Sequence, residues 1–223
     1  MNFEMDLPGV KAALLAAGVP FEPLQIPTAD FRRFLGECAY PPRYYQGGGT
    51  AYTEKCLEHF LSYRVLDIAK NDVYIDLGSD GSPFPGYLRD AVGCQVFVND
   101  FRYPAGITDG WRIGSDAACL PLPDQSISKA TLHCALEHFE GDADYRLITE
   151  LGRVLKPGGK ACIAPLYLHP EYVGLTDPMV DRTCQAWDPA MKPIFLKGHG
   201  QRQGRFYDVP QFVKRFHAHS ATL

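Results

Sequence analysis

From Asn71 onward the sequence repeats one unit, a short apolar run followed by a turn-rich loop and a helical stretch, and few architectures accept that alternation. The runs "VYIDL" (73–77), "CQVFVND" (94–100), "ISKATLHC" (127–134) and "KACIAPLY" (160–167) are β-rich and bounded by turn residues. Between the last two, "DADYRLITELGRVLKPGG" puts Leu147, Ile148, Leu151, Val154 and Leu155 on one helical face, with Pro157, Gly158 and Gly159 ending the helix. Strands alternating with helices bury both faces of a sheet. The expected fold is therefore α/β, a doubly wound, mostly parallel sheet with helices on both faces. In such sheets ligands bind beyond the carboxyl ends of the strands, where the strand order reverses.

Upstream, residues 8–17 predict a short helix opened by Pro8 and closed by Gly18, and a second helix covers 28–36. The stretch "CAYPPRYYQGGGTAY" is too rich in Pro and Gly to be regular, and its aromatic residues suit either a lid or a packed connector. Residues 52–70 contain no Gly or Pro and space Leu57, Phe60, Leu61, Leu66 and Ile68 as a long helix does. The expected organisation is an N-terminal helical segment with an aromatic loop (1–70) packed on one α/β domain (71–223). Near the C-terminus, residues 208–220 predict a helix carrying Phe212, Val213 and Phe216 on one face. Either "PIFLKG" (193–198) adds an irregular strand, or the sheet lacks a terminal hairpin and exposes an edge that invites pairing with a second copy.

With 223 residues, 46% of them hydrophobic, the chain is long enough for one full core. A net charge of -4 leaves no cationic excess, so nucleic acid is not an expected partner. Seven scattered cysteines form no CxxC pair and no metal-ligand spacing, which predicts no metal and a reducing compartment. Acidic residues near the N-terminus do not suit a signal peptide, and no apolar run approaches the ~18 residues of a membrane span. A soluble, cytoplasmic protein without membrane contact is expected.

The strand ends hold the candidate ligand groups. After the first come Asp76, Gly78, Ser79, Asp80, Gly81 and Ser82, small residues that let a backbone approach a ligand, although Asp76 would equally cap a helix. After the second comes Asp100, placed either to accept hydrogen bonds from a ribose diol or to sit in a solvated loop. Asp116 precedes Ala117 and the turn "LPLPD", and "LHCALEHF" sets His133, Cys134, Glu137 and His138 at the mouth of the fourth strand. Asp142, Asp144 and His138 could hold a metal on paper, but acidic residues at a helix start already interact favourably with the helix dipole.

The run "GSDAACLPLPDQSISKATLHCALEHF", followed by "ITELGRVLKPGGKACIAPLY", resembles the second half of the class I S-adenosylmethionine-dependent methyltransferases. The similarity extends over roughly residues 71–168. It implies S-adenosylmethionine as cofactor, with Asp76, Gly78, Ser79 and Gly81 around its methionine portion and Asp100, followed by Phe101, at the ribose. Asp116 and Ala117 would meet the adenine, and Leu132, His133 and Cys134 would line the methyl-donor side. The implied activity is methyl transfer; aromatic loops flanking a neutral pocket, with no basic track, point to a small-molecule or glycan-type acceptor, at oxygen. His133 and His169 are the candidate bases, and Tyr167 and Tyr172 would shape the acceptor pocket. The family's glycine loop reads acidic-x-Gly-x-Gly-x-Gly, whereas Asp80 and Ser82 stand here at the second and third glycines. A non-glycine residue forced to positive φ there costs on the order of 1 kcal/mol. That departure leaves a second expectation, a protein of this fold without transfer activity that acts as a binding or assembly partner. Pro83 and Pro85 then suit the first turn of the next helix, with Ser82 as its cap.

Overall fold

Strand β1 (Val73–Leu77) forms the middle of a six-stranded sheet, flanked by β2 (Gln95–Asn99) on one side and β5 (Ile127–His133) on the other, both parallel to it. The structure is a computed structural model describing residues 7–20, 22–79, 81–180 and 186–218. Beyond β2 lie β4 (Arg112–Gly114), parallel, and β3 (Gly106–Thr108), antiparallel; beyond β5 lies β6 (Leu155–Ala164), parallel. The chain runs outward from β1 through β2 to the edge strand β3, folds back as β4 between them, then crosses to the opposite side of β1 for β5 and β6. Strand order therefore reverses between β1 and β5, the crevice where a sheet of this kind accepts ligands. Tyr74, Ile75, Asp76 and Leu77 are all buried, the continuous burial expected of a central parallel strand.

Helices α1 (Leu7–Ala16), α2 (Thr28–Cys38) and α3 (Gly49–Leu66) precede the sheet. The third ends earlier than its apolar spacing predicts. Asp67 turns left-handed at φ 52°, and the Asp72 carboxylate accepts the Ala69 amide at 2.8 Å, drawing the chain into a turn before β1. Helix α4 (Phe84–Tyr87) continues as a wider turn over Leu88–Val92, and the Ser82 hydroxyl accepts the Phe84 amide at 3.3 Å. Helix α5 (Ala143–Val154) lies in the connection from β5 to β6. Strand β6 begins at Leu155, not after the glycines as expected, because Leu155 already pairs with Ile127. The register then shifts before Lys160 meets Lys129, with Gly158 at φ 78° within the irregularity. Helix α3 packs on β5 and β6, and α4 on β2.

The chain divides into two units: residues 24–134 with 153–165, and residues 1–23, 135–152 and 166–223. Helices α2 and α3 pack on the sheet: Phe34, Phe60 and Leu66 share one core cluster with Tyr74, Phe84 and Val96. Phe34 lies 5.6 Å from Phe60 and edge-on to Tyr87 at 5.2 Å. Each such side chain buried from water contributes about 1.5–3 kcal/mol.

In the other unit, β7 (Val173–Thr176) pairs in parallel with β8 (Lys192–Phe195) and antiparallel with β9 (Gly204–Phe206). The terminal strands are thus present but form their own three-stranded sheet rather than extending the first; "PIFLKG" supplies part of β8. Asp208 caps α6 (Val209–Phe212) by accepting the Gln211 amide at 2.8 Å. Asp144, a metal candidate on paper, is fully buried and satisfied by protein groups. It pairs with Arg205, accepts from Arg215 at 2.7 Å and accepts from the Tyr207 hydroxyl at 2.8 Å. Among the described residues no cluster of metal-ligating side chains occurs, and no helix is long and apolar enough to cross a membrane. Removing one partner from a buried pair strands the other charge. Asp144→Ala should therefore cost about 3–5 kcal/mol of stability in urea denaturation, and a loss below ~1 kcal/mol would refute this role.

Candidate active site

Where the strand order reverses, the first unit holds a cavity of about 320 Å³. Its floor comes from the ends of β1 and β5, its wall from α3, and its rim from the aromatic loop before α3. Asp76, Gly78, Ser79 and Ser82 contribute from the β1 side, and His133 and Cys134 from the β5 side. Lys55 and His59 enter from α3, and Arg43, Tyr44 and Tyr45 stand at the rim. The volume lies within the range of small-ligand sites.

A chain of polar contacts ties the two strand ends together. The Tyr74 hydroxyl is hydrogen-bonded to Thr131, whose hydroxyl donates to Asp76 Oδ1 at 2.7 Å. His133 Nδ1 stands 3.5 Å from the same carboxylate oxygen, while its Nε2 is bonded to Ser62 Oγ at 2.9 Å. Asp76 Oδ2 and His133 Nδ1 are buried without a hydrogen bond, an arrangement that favours a polar or cationic ligand group beside them. The backbone turns at Gly78, φ 64°, and the Ser79 amide donates to Asn99 O at 2.9 Å. Gly81 lies in the same loop at φ 75°, and Asp80 is outside the described residues.

Helix α3 supplies what the sequence reading missed. Lys55, Glu58, His59 and Ser62 follow the i, i+3, i+4, i+7 spacing that normally marks an apolar face, here with polar residues, and Glu58, His59 and Ser62 are buried. That polar stripe within a core helix was the available signal. Lys55 donates to Glu58 at 2.9 Å and to Cys134 Sγ. Burial opposes its charge, but these bonds outweigh burial and raise its pKa. Burial, aided by repulsion from His133 and Lys55, lowers the His59 pKa, while burial raises that of Tyr40. Tyr40 therefore keeps its proton, and its hydroxyl is hydrogen-bonded to His59 Nδ1 at 2.9 Å.

The structure does not gather all the sequence-predicted site residues. Asp76, Gly78, Ser79 and His133 line the cavity; Asp100, Phe101, Asp116 and Ala117 do not. Asp100 is buried at the end of β2 and held by its own neighbour. Arg102 donates through its amide at 2.9 Å and its guanidinium at 3.0 and 3.1 Å. Phe101 is 81% exposed, Asp116 accepts the Ala118 amide at 2.9 Å, and Ala117 is buried. His169, Tyr167 and Tyr172 belong to the second unit. There His169 Nδ1 accepts the Glu171 amide at 3.0 Å, Tyr167 lies 5.1 Å from Phe206, and the Tyr172 hydroxyl donates to Asp188 at 2.9 Å.

Residues 76–163 match the sequence model of the family described as a methyltransferase domain. The matched segment runs from β1 to the end of β6. No curated protein matches the chain. Among solved structures, a chain from the complex of the Haloferax volcanii Trm112 methyltransferase activator with a methyltransferase is 22% identical, aligning 53% of this chain with 57% of that one at a TM-score of 0.44. A Pyrococcus horikoshii protein is 21% identical over 55% of this chain and 62% of its own, TM-score 0.44. The alignments thus span about three fifths of those two chains. Burkholderia thailandensis 1,6-didemethyltoxoflavin-N1-methyltransferase, solved with 1,6-didemethyltoxoflavin and S-adenosylhomocysteine, is 15% identical over 90% of this chain and 81% of its own, TM-score 0.48.

Burial keeps His59 neutral, and this makes the stability of its unit depend on pH. Below about 6.5 the unfolded chain takes up the imidazole proton before the folded one, so folding loses up to ~1.4 kcal/mol per pH unit until the folded pKa is reached. Thermal melts from pH 7 to 5 should fall more steeply for the wild type than for His59→Gln, and parallel curves would contradict this assignment.

Proposed function

We propose that the protein transfers a methyl group from S-adenosylmethionine to an oxygen of a small-molecule or glycan-type acceptor. The observation that carries this reading is the cavity at the β1/β5 reversal, lined by Asp76, Gly78 and Ser79 within a methyltransferase domain. When bound, the cofactor supplies an electrophilic methyl on a sulfonium with a good leaving group. The protein's remaining work is alignment and removal of a proton. The unpartnered Asp76 Oδ2 suits an ammonium, and Gly78 permits the backbone to approach the methionine portion. His133, at the end of β5 and in the cavity wall, is the group assigned to take the acceptor's proton. Tyr44 and Tyr45 at the rim offer aromatic faces to a sugar-like ring. His169, occupied by the Glu171 amide in the other unit, is left a structural role.

One observation favours a second reading, a protein of this fold that has lost transfer. Arg102 occupies the Asp100 carboxylate that would receive the ribose. The Arg102 guanidinium engages both oxygens of the buried carboxylate, so a ribose diol has to displace a bidentate pair. Calorimetry with S-adenosylmethionine and S-adenosylhomocysteine separates the readings: methyl transfer requires binding, and no binding at millimolar ligand to folded protein rejects it. Asp100→Ala should weaken binding by about 1–3 kcal/mol if Asp100 receives the ribose, and unchanged affinity would remove Asp100 from the site. Full turnover in His133→Ala would remove His133 from the mechanism.

A further inference from the structure

Cys134, one residue beyond β5, reaches the cavity from a left-handed backbone at φ 47°. Its sulfur stands between two oppositely charged partners from α3. The Lys55 ammonium donates to Sγ, and the Glu58 carboxylate oxygens lie 3.4 and 3.6 Å from Sγ. Lys55 and Glu58 are paired with each other at 2.9 Å, and their side chains are only 13% and 9% exposed, so water screens neither strongly. Glu58 is placed to receive the thiol proton, and Lys55 to stabilise the resulting negative sulfur. We propose that Cys134, Glu58 and Lys55 form a nucleophilic thiol site whose substrates are soft carbon electrophiles, namely alkenes conjugated to a carbonyl.

Cys134 is the nucleophile, Glu58 carries its proton, and Lys55 stabilises the charge on sulfur. The S–H bond breaks as its proton passes to Glu58, and the sulfur lone pair forms a C–S bond to the β-carbon. The π electrons of the alkene move onto the carbonyl as an enolate, and Glu58 returns the proton to the α-carbon. The net reaction adds S–H across C=C and needs no other reactant. The site lies in the same cavity as the proposed cofactor pocket, but this chemistry uses no methyl donor and does not depend on methyl transfer.

The exposed thiol of Cys119 supplies an internal comparison, since Cys134 is only partly exposed. Labelling of the full chain with N-ethylmaleimide, followed peptide by peptide by mass spectrometry without any cofactor, should modify Cys134 at least tenfold faster than Cys119 at pH 7. Lys55→Met should lower the Cys134 rate at least tenfold and Lys55→Arg should largely restore it. The deficit of Lys55→Met should shrink towards pH 9, where a thiol ionises without help. Glu58→Gln should slow Cys134 and leave Cys119 unchanged. Labelling of Cys134 no faster than Cys119, or a rate indifferent to Lys55→Met at both pH values, would overturn the proposal. Because no cofactor is present, failure here leaves the methyltransferase reading intact, and failure to bind S-adenosylmethionine leaves this result standing.

Discussion

The Asp76 carboxylate sits near the end of the buried central strand β1, where desolvation of a charge must be offset by directed bonds. Its Oδ1 is held by Thr131 of β5, and Thr131 is in turn bonded to Tyr74 of β1. This short polar chain stitches β1 to β5 where the strand order reverses, the position at which a doubly wound sheet leaves a crevice. The other oxygen of Asp76 remains buried without a partner beside the cavity. One residue thus fixes the two strand ends relative to one another and puts a carboxylate in the crevice wall. The glycine turn at Gly78, the histidine at 133 and the cysteine at 134 follow directly from it along the two strands.

Helix α3 completes the site by an unusual division of its surface. Cys56, Phe60 and Leu66 supply the core, while Lys55, Glu58, His59 and Ser62 present charge and hydrogen bonds to the cavity side. The helix therefore serves both to close the core and to set the electrostatics of the pocket. Its ammonium and carboxylate neutralise each other, and its histidine is kept neutral by burial. The aromatic loop before it places Tyr44 against His59, ring centroids 6.1 Å apart, so the rim is anchored on the same helix.

Much of this was legible in the chain. The five-residue strand at 73–77 and the helices near 8–17 and 28–36 were readable because turn residues and period marked their ends. Strand-end logic placed Asp76, Gly78, Ser79 and His133 at one site. Asp100 was read correctly as a strand-end carboxylate, but nothing in its neighbourhood announced that Arg102, two residues on, would fold back onto it. The polar stripe of α3 was hidden among apolar residues of the same helix, and only packing decides which stripe faces a cavity. The separate sheet of β7, β8 and β9 was legible only at "PIFLKG": such short strands carry little periodicity, and their partners are set by contacts distant in sequence.

The central claim is that the cofactor occupies the crevice between the ends of β1 and β5. Hydrogen–deuterium exchange with and without S-adenosylhomocysteine tests it most directly. The account predicts slowed exchange in the segments spanning residues 77–84 and 132–136, together with the rim at 43–48. Protection confined to other segments, with these unchanged at saturating ligand, would contradict it.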